Sequence, residues 1–183
     1  CDEKDNNCDE SIDEGVTTTF YADSDNDGYG DSLTTLEACS VPDDYVENSD
    51  DCNDVDSLIN PSVNEICDLQ DNDCNGQIDE ATAIDASIWY LDGDSDGYGD
   101  SSSSVISCTA PTGHVSDSTD CDDGDNTQYP GASEYCNGED DNCDGVVDEN
   151  TSLDVSTWYS DGDSDGYGDS NSSVISCTAP TGH

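Results

Sequence analysis

Three stretches of the chain place acidic side chains at alternate positions ahead of a glycine, a spacing that suits a hard cation. Tyr21–Ser32 reads YADSDNDGYGDS, Tyr90–Ser101 reads YLDGDSDGYGDS and Tyr159–Ser170 reads YSDGDSDGYGDS. In the first, Asp23, Asp25 and Asp27 precede Gly28, Tyr29 and Asp31. The second has Asp92, Asp94, Asp96, Gly97, Tyr98 and Asp100, and the third has Asp161, Asp163, Asp165, Gly166, Tyr167 and Asp169. Calcium takes about six to eight oxygen ligands. A loop can deliver them from its first, third and fifth side chains, the seventh main-chain carbonyl and the ninth residue, with glycine sixth for the sharp turn. The expected ligands are therefore the aspartates named and the carbonyls of Tyr29, Tyr98 and Tyr167.

A second loop type is flanked by cysteines. In Cys67–Glu80 the donors are Asp71, Asp73, Asn75, the carbonyl of Gln77, and Asp79, with Gly76 at the turn. Cys136–Glu149 offers Asp140, Asn142, Asp144, the carbonyl of Val146, and Asp148, with Gly145 at the turn. Cys1–Glu14 offers Asp5, Asn7, Asp9, Ser11 and Asp13, but carries Glu10 where glycine is expected. A positive φ there costs a glutamate energy, so this site is expected to be distorted or weaker.

A third candidate starts at each Asp-Cys dipeptide. Counted from Asp54, it has Asp56 third and Glu65 twelfth; counted from Asp123, it has Asp125 third and Glu134 twelfth. Glutamate at twelve suits a bidentate ligand, but Ile59 and Gln128 stand where glycine should be, so an ion here needs another loop geometry. Asp51 and Asn53, and likewise Asp120 and Asp122, lie just upstream and complete either this site or a neighbouring one.

The elements that must hold these loops are short. Phe20-Tyr21, Trp89-Tyr90 and Trp158-Tyr159 precede the first loop type, and Val105-Ile106 and Val174-Ile175 follow two of its copies. These are β-prone pieces bounded by polar turns. At twelve the loops carry Thr34, Ser103 or Ser172, not the glutamate of an EF-hand, and no amphipathic helices flank them. A small hairpin with the ion in its turn is the expected local fold, its aromatic pair supplying the hydrophobic contact.

The chain repeats itself. Residues 90–114 and 159–183 differ only at Leu91/Ser160 and Ser102/Asn171, an offset of 69 residues that also relates Cys67–Glu80 to Cys136–Glu149. The units read 1–66, 67–135 and 136–183, the last broken off mid-unit, as expected of a piece of a longer array. The 11 cysteines come no closer than seven residues apart, too far for the usual zinc spacing, and point to disulfides in an oxidising, extracellular setting. Two pairings stand open. One runs within units (Cys1–Cys8, Cys39–Cys52, Cys67–Cys74, Cys108–Cys121, Cys136–Cys143) and leaves Cys177 over. The other is shifted (Cys8–Cys39, Cys52–Cys67 onward) and leaves Cys1 over. The first is preferred for its short loops.

Composition sets the limits. With 47 acidic residues against a single lysine, the net charge is −46, so there is no basic surface for nucleic acid. The apolar fraction of 31% includes the cysteines and 9 tyrosines, too little for a core of domain size, so disulfides and metal ions must take its place. No apolar run is long enough to insert in a membrane. No catalytic constellation is found; His114 and His183 occupy equivalent Thr-Gly-His turns, and an enzyme is not expected. Asn150-Thr151-Ser152 and Asn171-Ser172-Ser173 are sequons for attached glycans.

CDLQDNDCNGQIDE, alternating with WYLDGDSDGYGDS and DCNDVDSLINPSVNEIC, resembles the MopE-type metal-binding repeats of bacterial surface and secreted proteins. The Asp-rich loops are also similar to the calcium repeats of thrombospondin type 3 segments, in which an extended chain wraps a row of ions. The family's association with copper is not carried over, because the chain has no methionine and copper favours imidazole and sulfur ligands. The expected protein is an irregular repeat stabilised by metal ions and disulfides. It is mostly loops with short β-hairpins, has little helix and no large hydrophobic core, and forms an extended, solenoid-like or rod-like array. It is expected to bind several Ca2+ per repeat and to serve as an extracellular stalk, spacer or fibre built from further copies. A calcium-dependent adhesive or glycan-binding module is the rival.

Overall fold

In a computed structural model, residues 4, 5, 15 and 17–183 are described. The Cys1–Glu14 candidate, with Asn7, Asp9, Ser11, Asp13 and the Cys1–Cys8 pairing, lies outside them apart from Asp5. Among the described residues there is no helix, and the regular structure is antiparallel hairpin built on the aromatic pairs.

The described chain divides into two compact units at the Ser87–Ile88 junction, the second running from Ile88 to His183. In the first, β1 (Thr18–Ala22) pairs with β2 (Asp31–Ala38) and β3 (Tyr45–Val46), in the order β2-β1-β3. Phe20 lies opposite Leu36 and Tyr21 opposite Thr35, after which the register jumps so that Ala22 faces Asp31. That irregularity lets the acidic loop fold back on itself before β2 begins. The second unit repeats the arrangement with β4 (Ser87–Leu91), β5 (Asp100–Ser107) and β6 (His114–Val115), in the order β5-β4-β6. It adds a two-stranded hairpin of β7 (Ser156–Ser160) and β8 (Asp169–Ser176) with the same jump between Tyr159 and Ser160. Each tryptophan fixes its hairpin by donating its indole N–H to the far strand, Trp89 to the Ser107 carbonyl (3.0 Å) and Trp158 to that of Ser176 (2.9 Å).

Between the hairpins the chain runs in successive turns held by polar contacts. In the first unit the buried Asn72 gives its carbonyl to the Asn60 N–H (2.9 Å) and accepts at Oδ1 from the Ile66 N–H (3.2 Å). In the second, Asp141 does the same for Tyr129 (3.0 Å) and Tyr135 (2.9 Å). The buried apolar residues among those described are Phe20, Ala22, Ile59 and Ala83, whereas nine polar or acidic residues are buried, among them Asp23, Asp51, Glu65 and Glu134. Hydrogen bonding and cross-links carry the packing that apolar area carries elsewhere.

The disulfides overturn both expected pairings. Cys52 bonds to Cys74 and Cys121 to Cys143, each across 22 residues, and Cys136 bonds to Cys177, which is therefore not left over. Cys39, Cys67 and Cys108 are disulfide-bonded as well. The reason lies in the loops. Cys74 and Cys143 are the even-numbered fourth residues of their acidic loops and take a left-handed backbone (φ 56° at each). Each is bonded to the cysteine of the Asp-Cys dipeptide upstream, Cys74 to Cys52 and Cys143 to Cys121. Loop length was a poor guide because the acidic turn, not the chain between cysteines, sets where each sulfur faces.

Candidate metal centre

The first loop type organises itself through its own amides. Asp23 accepts at Oδ1 from the Asp27 N–H (3.1 Å) and at Oδ2 from the Gly28 N–H (3.2 Å), while Asp27 Oδ1 accepts from Tyr29 (2.8 Å). Asp92, Asp94 and Asp96 are bound in the same manner by Ser95, Asp96 and Tyr98. Gly28 and Gly97 sit at φ 95° and 100°, conformations that side chains rarely adopt, which is why glycine stands sixth. One carboxylate oxygen each from Asp23, Asp25 and Asp27 lies within 4.8 Å of the others, and the same holds for Asp92, Asp94 and Asp96.

A later segment covers the loop. The Asp51 N–H donates to the Gly30 carbonyl (3.2 Å), and Asp54 accepts from the Ser24 N–H (2.7 Å) and hydroxyl (2.6 Å). In the second unit the Asp120 N–H donates to the Gly99 carbonyl (3.3 Å), and Asp123 accepts from the Gly93 N–H (2.6 Å). Tyr98 stacks on Tyr129 with ring centroids 5.7 Å apart. Gly30 and Gly99 leave no room for a β-carbon: one at Gly99 would lie 2.8 Å from Tyr90 Cβ and 2.9 Å from the Asp117 carbonyl.

Burial and like charge meet here. Desolvation raises the pKa of Asp25 above the usual aspartate range, with Asp27 and Asp23 adding to the effect. Asp51 is raised by desolvation and by the charges of Asp27, Asp25 and Asp54. Asp94 and Asp120 are raised for the same reasons, Asp120 by Asp96, Asp94 and Asp123 after desolvation. Oδ2 of Asp25, Asp27 and Asp51 is buried without a hydrogen-bond partner, and so is Oδ2 of Asp94, Asp96 and Asp120. Buried carboxylate oxygens with neither donor nor counter-charge are costly. A cation bound among them would remove that cost, so the residues fit a metal ion.

The ninth residues accept hydrogen bonds from the strand that follows them. Asp31 accepts from the Leu33 N–H (2.8 Å) and the Thr34 hydroxyl (2.7 Å), which hold its pKa low. Asp100 faces Ser102 and Asp169 faces Asn171 in the same way, with the same lowering. The third copy, Asp161–Asp169, has the loop hydrogen bonds, with Asp161 accepting from Asp165 (3.2 Å) and Gly166 (3.0 Å). Its Asp163 and Asp165 are exposed beneath an open depression of about 430 Å³.

The cysteine-flanked loop is closed by a glutamate from upstream. Glu65, only 2% exposed, accepts at Oε2 from the Asn72 (2.8 Å) and Asp73 (3.3 Å) amides and at Oε1 from Asp79 (3.0 Å). It forms a cluster with Asp71 and Asp73, oxygens within 4.8 Å. Glu134 accepts from the Asn142 (3.3 Å) and Asp148 (3.1 Å) amides, and desolvation raises its pKa. Asp140, Asn142, Asp144, Asp71 and Asn75 make the loop's own amide bonds. Asp79 and Asp148 accept from Leu69 and Gly138, both 2.9 Å. Two inward carboxylates were not anticipated: Glu80 accepts from the Asn75 side-chain amide, and Glu149 accepts at Oε1 from the Asn142 side-chain amide (3.2 Å) and buries Oε2 without a hydrogen-bond partner. Their signal was the glutamate that ends each cysteine-flanked loop directly after the ninth residue.

The third candidate comes apart. Asp51 and Asp54 join the first loop, Glu65 joins the second, and Ile59 is buried. Asp56 and Asp125 cap local turns at Leu58 and Thr127. Asn53 and Asp122 donate their amides to Asp51 (2.8 Å) and Asp120 (2.9 Å).

Fold and site together define a disulfide-linked, metal-binding repeat protein. Residues 1–14, 51–80 and 120–149 match the Cu-binding MopE family, described as a "putative metal-binding motif", so the chain carries the MopE-type motif three times. No curated protein and no solved structure matches the chain. No helix among the described residues is long and apolar enough to cross a membrane.

Proposed function

We propose that the bound metal is calcium and that the chain is part of an extracellular stalk, spacer or fibre stiffened by calcium ions and disulfides. One observation carries this reading: the three buried, unpartnered carboxylate oxygens of Asp25, Asp27 and Asp51, repeated at Asp94, Asp96 and Asp120. Every donor of these clusters is an oxygen, and the neighbouring sulfurs of Cys52, Cys74, Cys121 and Cys143 are consumed in disulfides. Such a set favours a hard cation over copper or zinc, and flexible multi-carboxylate loops favour calcium over the rigid octahedron of magnesium. Ions that neutralise part of the −46 charge make folding and binding one event. The role is structural rather than catalytic, and further copies of the repeat are the expected partners.

The rival is a calcium-dependent adhesive or glycan-binding module, in which a calcium ion at the surface coordinates a glycan or partner. Calcium titration of the oxidised chain, followed by circular dichroism and X-ray scattering, tests the first reading. Ordering and stiffening with calcium, but not with copper, is expected. A chain equally ordered in excess chelator would overturn it. Calcium-dependent glycan binding with no change of shape would support the rival instead.

A further inference from the structure

We infer that Asp51 is a ligand delivered from a distant segment to the ion of the 23–29 loop, and that through Cys52 this ion and the Cys52–Cys74 disulfide are thermodynamically linked, each favouring the other. The inference rests on the calcium reading above and adds the closing ligand and its coupling to thiol chemistry.

Asp51 is 8% exposed. Its Oδ1 is occupied by the Asn53 N–H, and its Oδ2 is buried without a partner beside the loop whose Asp25 and Asp27 show the same orphaned oxygen. The bond from its N–H to Gly30 fixes where the carboxylate stands. Asp120 repeats every one of these features except the depth of burial, on a different sequence background. Cys52 is the next residue in the chain. One carboxylate oxygen of Asp51 and both sulfurs of the disulfide lie within 4.8 Å of one another, and the Cys52 N–H donates to Cys74 Sγ (3.2 Å). Cys74 in turn sits between Asp73 and Asn75, with the left-handed backbone of the second acidic loop. Both sulfurs are thus held by segments that a bound ion would order. An ion that binds the cross-linked form more tightly must favour cross-linking by the same factor.

The exchange is balanced with oxidised glutathione. The Cys52 and Cys74 thiols give up two protons and two electrons to form one S–S bond, and the glutathione disulfide takes them up to become two thiols. Calcium should shift this equilibrium toward the protein disulfide by about tenfold or more.

The test uses the full chain at a fixed ratio of reduced to oxidised glutathione, in calcium and in chelator, with thiol trapping and peptide mass spectrometry reading Cys52 and Cys74. A larger disulfide fraction in calcium is expected, and an equal fraction overturns the inference without any variant. In parallel, calorimetric calcium titration compares the oxidised wild type with Asp51→Asn, Asp120→Asn and Asp50→Asn. Losses of about tenfold at one site are expected for the first two. The exposed neighbour Asp50 controls for charge alone and should leave affinity within about twofold. If the wild type binds no calcium, the calcium reading fails. If it binds and neither Asp51→Asn nor Asp120→Asn weakens a site, only the present inference fails.

Discussion

Loops 92–100 and 161–169 are identical in sequence, lie in the same unit, and differ in what covers them. Over the first, the segment from Asp117 to Asp123 packs against Gly99 and Gly93 and buries Oδ2 of Asp94, Asp96 and Asp120. Over the second, no such segment stands among the described residues, which end before the positions equivalent to Asp117–Asp123; Asp163 and Asp165 are exposed below a depression. Both make the amide-to-carboxylate bonds that shape the turn. Local sequence therefore builds a loop, whereas a site of desolvated, convergent oxygens needs a carboxylate from a remote segment.

Opening the cover should have the largest effect. Replacing Cys121 and Cys143 with serine removes a cross-link spanning 22 residues and should cost about 3 kcal/mol in chemical denaturation. It should also lower calcium affinity at 92–100 toward that of 161–169. Unchanged affinity at that loop would show that the cover stays in place without its disulfide.

A smaller effect is expected from Gly93→Ala. A β-carbon there would meet the Asp123 carbonyl at 2.7 Å, but at the equivalent Gly162 it meets nothing within 4 Å. Alanine at 93 should destabilise by about 1–2 kcal/mol in thermal unfolding, and alanine at 162 by less than about 0.5 kcal/mol. Serine at 93 should recover part of the loss, since Ser24 fills this position in the first unit and binds Asp54 through its hydroxyl.

The pH response should be modest and opposite in sign with and without metal. Asp25, Asp51, Asp94, Asp120 and Glu134 have raised pKa values in the metal-free fold, so that state binds more protons than the unfolded chain above the ordinary carboxylate range. Their contribution is whole below about pH 4 and is lost as pH rises through the raised values. The chelated chain should thus weaken from about pH 4 upward in urea titrations, whereas the calcium-loaded chain should weaken as pH falls and protons displace the ion. Asp31, Asp100 and Asp169, with lowered pKa values, act in the reverse direction below about pH 4. A calcium-loaded chain that gained stability on acidification would contradict the scheme.

Much of this was legible from residue types. Alternating aspartates with a sixth glycine announced the loops, Trp-Tyr and Val-Ile announced the hairpins, and the shortage of apolar residues announced a chain held by other means. The partners across the chain were not legible. Glu65 looked like the twelfth ligand of a loop starting at Asp54, yet its carboxylate turns to the amides of Asn72, Asp73 and Asp79. Asp31 looked like a ninth ligand, yet the start of β2 claims it through Leu33 and Thr34. Short sequence spacing favoured Cys67–Cys74, but the left-handed turn at Cys74 aims its sulfur at Cys52. Position within a loop says which way a side chain leaves the turn; it does not say which distant segment will be there to meet it.

The most direct test is a calcium titration of the full chain followed by the backbone amide resonances of Gly97 and Gly166, the sixth residues of the two matched loops. If the remote carboxylate makes the site, Gly97 should saturate at a free calcium concentration about tenfold or more below that for Gly166, and Asp120→Asn should bring the two curves together. Coincident curves in the wild type would contradict the account.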